Sequence, residues 1–210
     1  MGILDKLLGR NKEAKPALPA ADSNKTFYIL KVNARLQPMH RGEIYEDPLE
    51  ERLGKAGIGS ISGGGTFLSK EKEITGCDIE ICLNDDSEEC LQKLMAILNE
   101  LSFPKGSDLS RCTGEEEIPL CQLGNLEGLA LYLNGTDLPN EVYESCDINH
   151  VISETLQLLG DTWRLFSWRE GESETALYFY GEDFAESKLR IEPFLDDYPL
   201  CQKCRVEQIA

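Results

Sequence analysis

Glu43-Ile44-Tyr45-Glu46 reappears as Glu141-Val142-Tyr143-Glu144, and the flanks of the two stretches match as well. Upstream, Val32-Asn33 with Pro38 corresponds to Leu133-Asn134 with Pro139. Downstream, Phe67-Leu68-Ser69 corresponds to Leu165-Phe166-Ser167, Asp78-Ile79-Glu80-Ile81 to Ala176-Leu177-Tyr178-Phe179, and Phe103-Pro104 to Tyr198-Pro199. The offset drifts only between roughly 95 and 101 positions, the tolerance expected when loops absorb insertions while packed elements keep their order. A collinear series of this kind predicts two copies of one fold unit.

Each copy reads as βαββαβ. In the first, a strand over 27–34, rich in aromatic and branched residues, is followed by a polar loop over 37–46. A helix is predicted next, with Asp47 as N-cap, Pro48 at the first helical position, Glu50 at capping-box spacing and Gly57 as a left-handed stop. Stretches 58–69 and 75–83 form a strand pair. In the latter, Cys77, Ile79, Ile81 and Leu83 share one face while Asp78, Glu80 and Cys82 share the other. A helix over 87–101 and a strand over 105–112 complete the unit. The second unit repeats the order with strands over 129–134, 162–168, 175–180 and 205–209. Its helices cover 148–159, stopped by Gly160, and 184–195, broken late by Pro193. The hairpin tips Lys70-Glu71-Lys72-Glu73 and Arg169-Glu170-Gly171-Glu172 occupy equivalent places. Glu115-Glu116-Glu117 with Pro119 and Gly124 marks the join. The predicted division is therefore an N-terminal segment and linker (1–25), a first unit (26–114), a connection (115–127) and a second unit (128–210).

This succession resembles the ferredoxin-like α+β sandwich, in which an antiparallel sheet carries two helices on one face. The resemblance covers about 185 residues and rests on element order alone. It implies an exposed sheet face in each unit, used to pair the units or to hold a ligand between them. It selects no activity. The ending Tyr198 to Ile209, with Tyr-Pro-Leu-Cys-Gln followed by Arg-Val and Ile, resembles that of uncharacterised bacterial proteins, some of toxin-immunity loci.

The chain carries 21 basic and 38 acidic side chains, a net charge of −17. A field of that sign repels nucleic-acid phosphates and anionic headgroups, so no nucleic acid is expected as partner. Residues 1–25 are net +2, leaving −19 on the remainder. Such a surface suits either solubility alone or a basic protein partner. Ile3, Leu4, Leu7 and Leu8 form one helical stripe near the N-terminus, read either as a docking or membrane-surface helix or as a frayed end. Lys6 breaks the myristoylation pattern, and residues 14–21 read as a stiff extended linker. No export signal precedes the eight cysteines, which predicts reduced thiols in a cytoplasmic setting.

Candidate chemistry is sparse. Cys201-Gln202-Lys203-Cys204 has half-ribbon or redox spacing, but two further ligands are missing and the pair precedes a strand rather than a helix, which favours structural cysteines. His40 and His150 fall at non-equivalent places without a nucleophile partner in sequence. Gly63-Gly64-Gly65 could cradle an anion, yet a strand rather than a helix follows, which favours a strand bulge. The repeated acidic-aromatic groups Glu43, Tyr45, Glu46 and Glu141, Tyr143, Glu144 precede each first helix. They read either as dipole-complementing carboxylates or as a rim for a basic partner. No catalytic residue and no cofactor are assigned. The expected function is a non-enzymatic, acidic protein-binding module of immunity type, with a small-molecule-binding or regulatory domain pair as the alternative.

Overall fold

The computed structural model describes residues 25–70, 72–114 and 116–210. The predicted amphipathic segment lies outside the described residues. The first unit runs β1 (Thr26–Val32), α1 (Pro38–Arg41), a π-helical turn (Gly42–Glu46), α2 (Asp47–Ala56), β2 (Gly59–Leu68), β3 (Ile74–Leu83), α3 (Glu88–Asn99) and β4 (Ser107–Thr113). After β5 (Glu116–Leu123), the second runs β6 (Glu127–Asn134), α4 (Asn140–Ser145), α5 (Ile148–Leu159), β7 (Arg164–Glu170), β8 (Glu174–Gly181), α6 (Phe184–Asp197) and β9 (Arg205–Gln208).

The sheets order as β2-β3-β1-β4-β5 and β7-β8-β6-β9, with every named pairing antiparallel. Without β5, the two orders are the same ferredoxin-like arrangement, so the α+β duplication read from sequence is present in the topology. Register agrees with it: Val32 faces Cys77, and Leu133 and Thr175, their repeat partners, also face each other. Alternation explains burial in β1, where Tyr28, Leu30 and Val32 turn to the helices and Phe27, Ile29 and Lys31 turn away. Leu49, Leu53, Leu94 and Leu98 cover that face from α2 and α3, each fully buried side chain worth roughly 1.5–3 kcal/mol.

Several sequence expectations are corrected. The loop expected over 37–46 is helical. Pro38, whose ring presets the helical φ, starts α1, so Asp47 lies inside a continuing helical path (φ −61°, ψ −47°) rather than at its N-cap. Gly57 does end α2, at φ 67°. Pro193 sits inside α6, which continues to Asp197. The connection at 115–127 contains β5, which covers the β4 edge after a turn at Gly114 (φ 65°). The match of Phe67-Leu68-Ser69 with Leu165-Phe166-Ser167 fails by register. Gly63 faces Glu80 while Ser167 faces Tyr178, the repeat partner of Glu80, so Gly63 is the counterpart of Ser167. Bulges in both β2 and β7, together with a shorter second hairpin loop, moved the alignment.

The units differ on the sheet face that helices leave open. In the first it carries Lys31, Asp78 and Glu80; the repeat partners in the second are Tyr132, Ala176 and Tyr178. Those residues, with Ala130 and Tyr180, join the first unit's core, and Arg35 of the first unit bonds the hydroxyls of Tyr132 and Tyr180. Phe166 stacks near Tyr180 (centroids 4.9 Å) and edge-on to Tyr45 (6.3 Å), which in turn stacks on Phe103 (5.0 Å). At the join, Gly124 takes φ 99° with its α-carbon pressed on Pro104, where a Cβ would fall 2.0 Å from the Pro104 carbonyl oxygen. No helix among the described residues is long and apolar enough to cross a membrane.

Candidate functional site between the hairpin tips

The β2–β3 and β7–β8 hairpins bring their tips together around a cleft of about 320 Å³. One wall carries Lys70, Lys72 and Glu73, the other Arg169, Glu172 and Glu174. The first tip is tight: Ser69 N–H donates to the Glu73 carbonyl at 2.8 Å, Lys72 N–H to the Ser69 carbonyl at 3.0 Å, and Lys72 holds φ 61°. The second closes through Gly171 N–H and the Glu174 carbonyl at 2.9 Å.

Glu174 is fixed by a fork from Arg205, Nε to Oε1 at 3.1 Å and Nη2 to Oε2 at 2.9 Å. That bond holds the Glu174 carboxyl below its ordinary value and raises the Arg205 guanidinium. Arg205 also pairs with Glu207 and lies 3.4 Å from the Tyr132 ring centroid. Arg35 reaches the same aromatic floor from the first unit, donating to the Tyr132 hydroxyl and lying 5.7 Å from the Tyr178 ring centroid.

Arg169 differs. Among the described residues it forms one long ion pair, with Glu73 across the cleft at 3.8 Å, and its guanidinium makes no hydrogen bond. Its side chain is 25% exposed, so part of the guanidinium fork borders the cleft. Lys70 and Lys72, by contrast, carry no ion pair among the described residues. The described lining thus sets three cations, Lys70, Lys72 and Arg169, beside three carboxylates, Glu73, Glu172 and Glu174.

The residues singled out from sequence are placed otherwise. Tyr45 is buried, 1% exposed, donating to the Ser102 carbonyl at 3.0 Å, and burial lifts its phenol well above the ordinary range. Glu46 pairs with buried Arg41 at 2.7 Å, and Arg41 donates onward to the Thr66 hydroxyl at 3.0 Å. Gly64 makes this possible, since a Cβ there would fall 2.8 Å from the Glu46 carboxylate. The glycine run is thus a regularly paired strand segment just after a bulge at Ser62, and it admits an ion pair. Glu43, Glu141 and Glu144 are exposed, while Tyr143 is half-buried and bonds locally, accepting Leu138 N–H at 3.0 Å. The two acidic-aromatic groups therefore do not present matching tyrosines.

Cys201 is buried and its thiol is pushed up to about 12 by desolvation; burial also raises Cys204. Protonated thiols are poor ligands and poor nucleophiles. No group of three ligating side chains close enough to hold a metal occurs among the described residues. His40 is a contact between the units, its Nδ1 2.8 Å from the Ser167 hydroxyl, and His150 packs edge-on to Phe194 and Tyr198. The equivalent hairpin tips were visible in sequence; Arg169 within them was not distinguished, because only the docking of the units sets them face to face.

No protein-family model matches the chain, and no curated protein sequence matches it. Among solved structures, similarity is found to a provisionally assigned glycine cleavage system transcriptional repressor, at 10% identity, 88% of this chain, 96% of that one and TM-score 0.29. The regulatory subunit of aspartate kinase from Thermus thermophilus is similar at 14% identity, with 83% and 94% covered and TM-score 0.27. A provisionally assigned monooxygenase from Fusobacterium nucleatum follows at 9% identity, 90% and 92%, TM-score 0.28. Likeness this low carries no functional argument, and the fold assignment rests on strand order and register. The immunity-type resemblance of the chain's ending finds no support among these structures.

Proposed function

We propose that the protein is a small-molecule-binding, regulatory-type domain pair whose ligand carries a carboxylate and sits between the two hairpin tips. The observation that carries this reading is the Arg169 guanidinium, held over a cleft with no hydrogen bond among the described residues. A planar fork of donors is matched by a carboxylate, and Lys70 and Lys72 add charge of the same sign. Glu73 on one wall and Glu172 on the other favour a ligand that also bears an ammonium group, so a zwitterion of amino-acid type fits best. A volume of about 320 Å³ lies at the small end of ligand pockets. Because the walls belong to different units, a bound ligand tightens their association, which is how such a pair would report ligand concentration.

The test is a thermal-shift screen with amino acids, dicarboxylates and their amides, followed by calorimetric titration of any hit. Saturable stabilisation by carboxylates, lost in Arg169→Ala and absent with the amides, is expected. No saturable response to any carboxylate, or an unchanged response in Arg169→Ala, overturns the reading.

A further inference from the structure

Arg169 and its chain neighbours face opposite sides of the β7–β8 hairpin, as strand alternation requires. Trp168 and Glu170, with Leu177 and Thr175 opposite them, lie on the helix side. There, with Ile148 and Ile152 of α5, they enclose a second pocket of about 390 Å³. Its character is the reverse of the tip cleft. Trp168 is 43% exposed, although it belongs to a row whose partner Leu177 is 1% exposed. Glu170 is the sole charged side chain in the described lining and makes no ion pair among the described residues. The nearby N-terminus of α5 is already engaged by its own cap, the Asp147 carboxylate accepting Asn149 N–H at 2.8 Å. No uncompensated positive pole therefore opposes a cation.

We infer that this pocket binds an organic ammonium ion. The apolar body lies against Ile148, Ile152 and Leu177, and the cationic head sits over the Trp168 ring and pairs with Glu170. An aromatic face beside an unpaired carboxylate is the arrangement that recognises such cations, and the net charge of −17 concentrates them at the surface. A neutral ligand of the same shape would leave the Glu170 carboxylate unused, and an anion would meet it as a like charge. The inference does not depend on the ligand of the tip cleft.

Titration of the full chain with 2-phenylethylammonium, followed by tryptophan fluorescence, tests it, with 2-phenylethanol as the neutral match. Trp163 is 3% exposed, so the response reports Trp168. Saturable change is expected with the ammonium, with affinity about threefold or more weaker in Glu170→Gln and weaker by a similar factor for the alcohol. Trp168→Phe, verified as folded by circular dichroism, is expected to abolish the signal, and calorimetry on Glu170→Gln gives a readout independent of that variant. Equal affinity for alcohol and ammonium, an unchanged Kd in Glu170→Gln, or no saturable change in the unaltered chain overturns it.

Discussion

The Arg35 backbone N–H donates to the Tyr180 phenolic oxygen at 2.8 Å, across 145 positions of chain and from one unit to the other. Tyr180 is 1% exposed, and burial raises its phenol above the ordinary value of 10.0, as it does for Tyr45. The unfolded chain therefore loses these protons near pH 10 while the folded chain keeps them. The stabilisation is whole below pH 10 and falls as pH rises above it. Spectrophotometric titration is expected to show a part of the seven tyrosines ionising only together with unfolding. Simple titration of all seven near pH 10 in the folded protein would contradict this.

Ser167 accepts the Gln37 N–H at 3.3 Å and meets His40 Nδ1 at 2.8 Å while itself 1% exposed. Ser167→Ala is expected to cost about 1–2 kcal/mol by leaving Gln37 N–H without its partner. The check is the midpoint of urea unfolding, where an unchanged midpoint would show that the two units dock independently of this bond.

Glycines 64 and 54 give opposite signs. Gly64→Ala places a Cβ 2.8 Å from both the Asp78 carbonyl and the Glu46 carboxylate, and is expected to destabilise by about 1–3 kcal/mol. Gly54 lies within α2, and a Cβ there meets nothing within 4 Å. Gly54→Ala is therefore expected to stabilise by about 0.5–1 kcal/mol. Thermal melts of the two variants decide both.

The Glu174–Arg205 fork makes a pH-dependent contribution of the opposite sense to the tyrosines. Because the carboxyl is held below its ordinary value of 4.5, the contribution is whole above that value and is lost as pH falls through the lowered one. Both side chains are more than a third exposed or close to it, so about 0.5–1 kcal/mol is involved. Glu174→Gln is expected to reduce stability at pH 7 and to flatten its dependence on pH below 4.5, measured by denaturant unfolding across pH.

The collinear motifs made the duplication legible, and the alternation of Cys77, Ile79, Ile81 and Leu83 against Asp78, Glu80 and Cys82 made β3 legible, since both are local signals. The helical start at Pro38 was hidden because Gln37 offers no side-chain cap bond and the path continues through a π turn. β5 was hidden because its acidic start and Pro119 look like a loop, whereas at a sheet edge both are tolerated. The tip cleft was half legible. Both tips were paired by the repeat, but the Arg169–Glu73 contact across the cleft arises from docking, which no local pattern encodes. The conspicuous tyrosine of the first acidic group serves packing instead.

Aromatic residues on the open face of the second sheet, where the first sheet has Lys31, Asp78 and Glu80, make the two copies unequal in what they can tolerate alone. The second unit's face is therefore adhesive where the first unit's is wettable. Expressed by itself, the second unit would bare Tyr132, Tyr178 and Tyr180 to water and is expected to self-associate, so it depends on the first unit for its solubility.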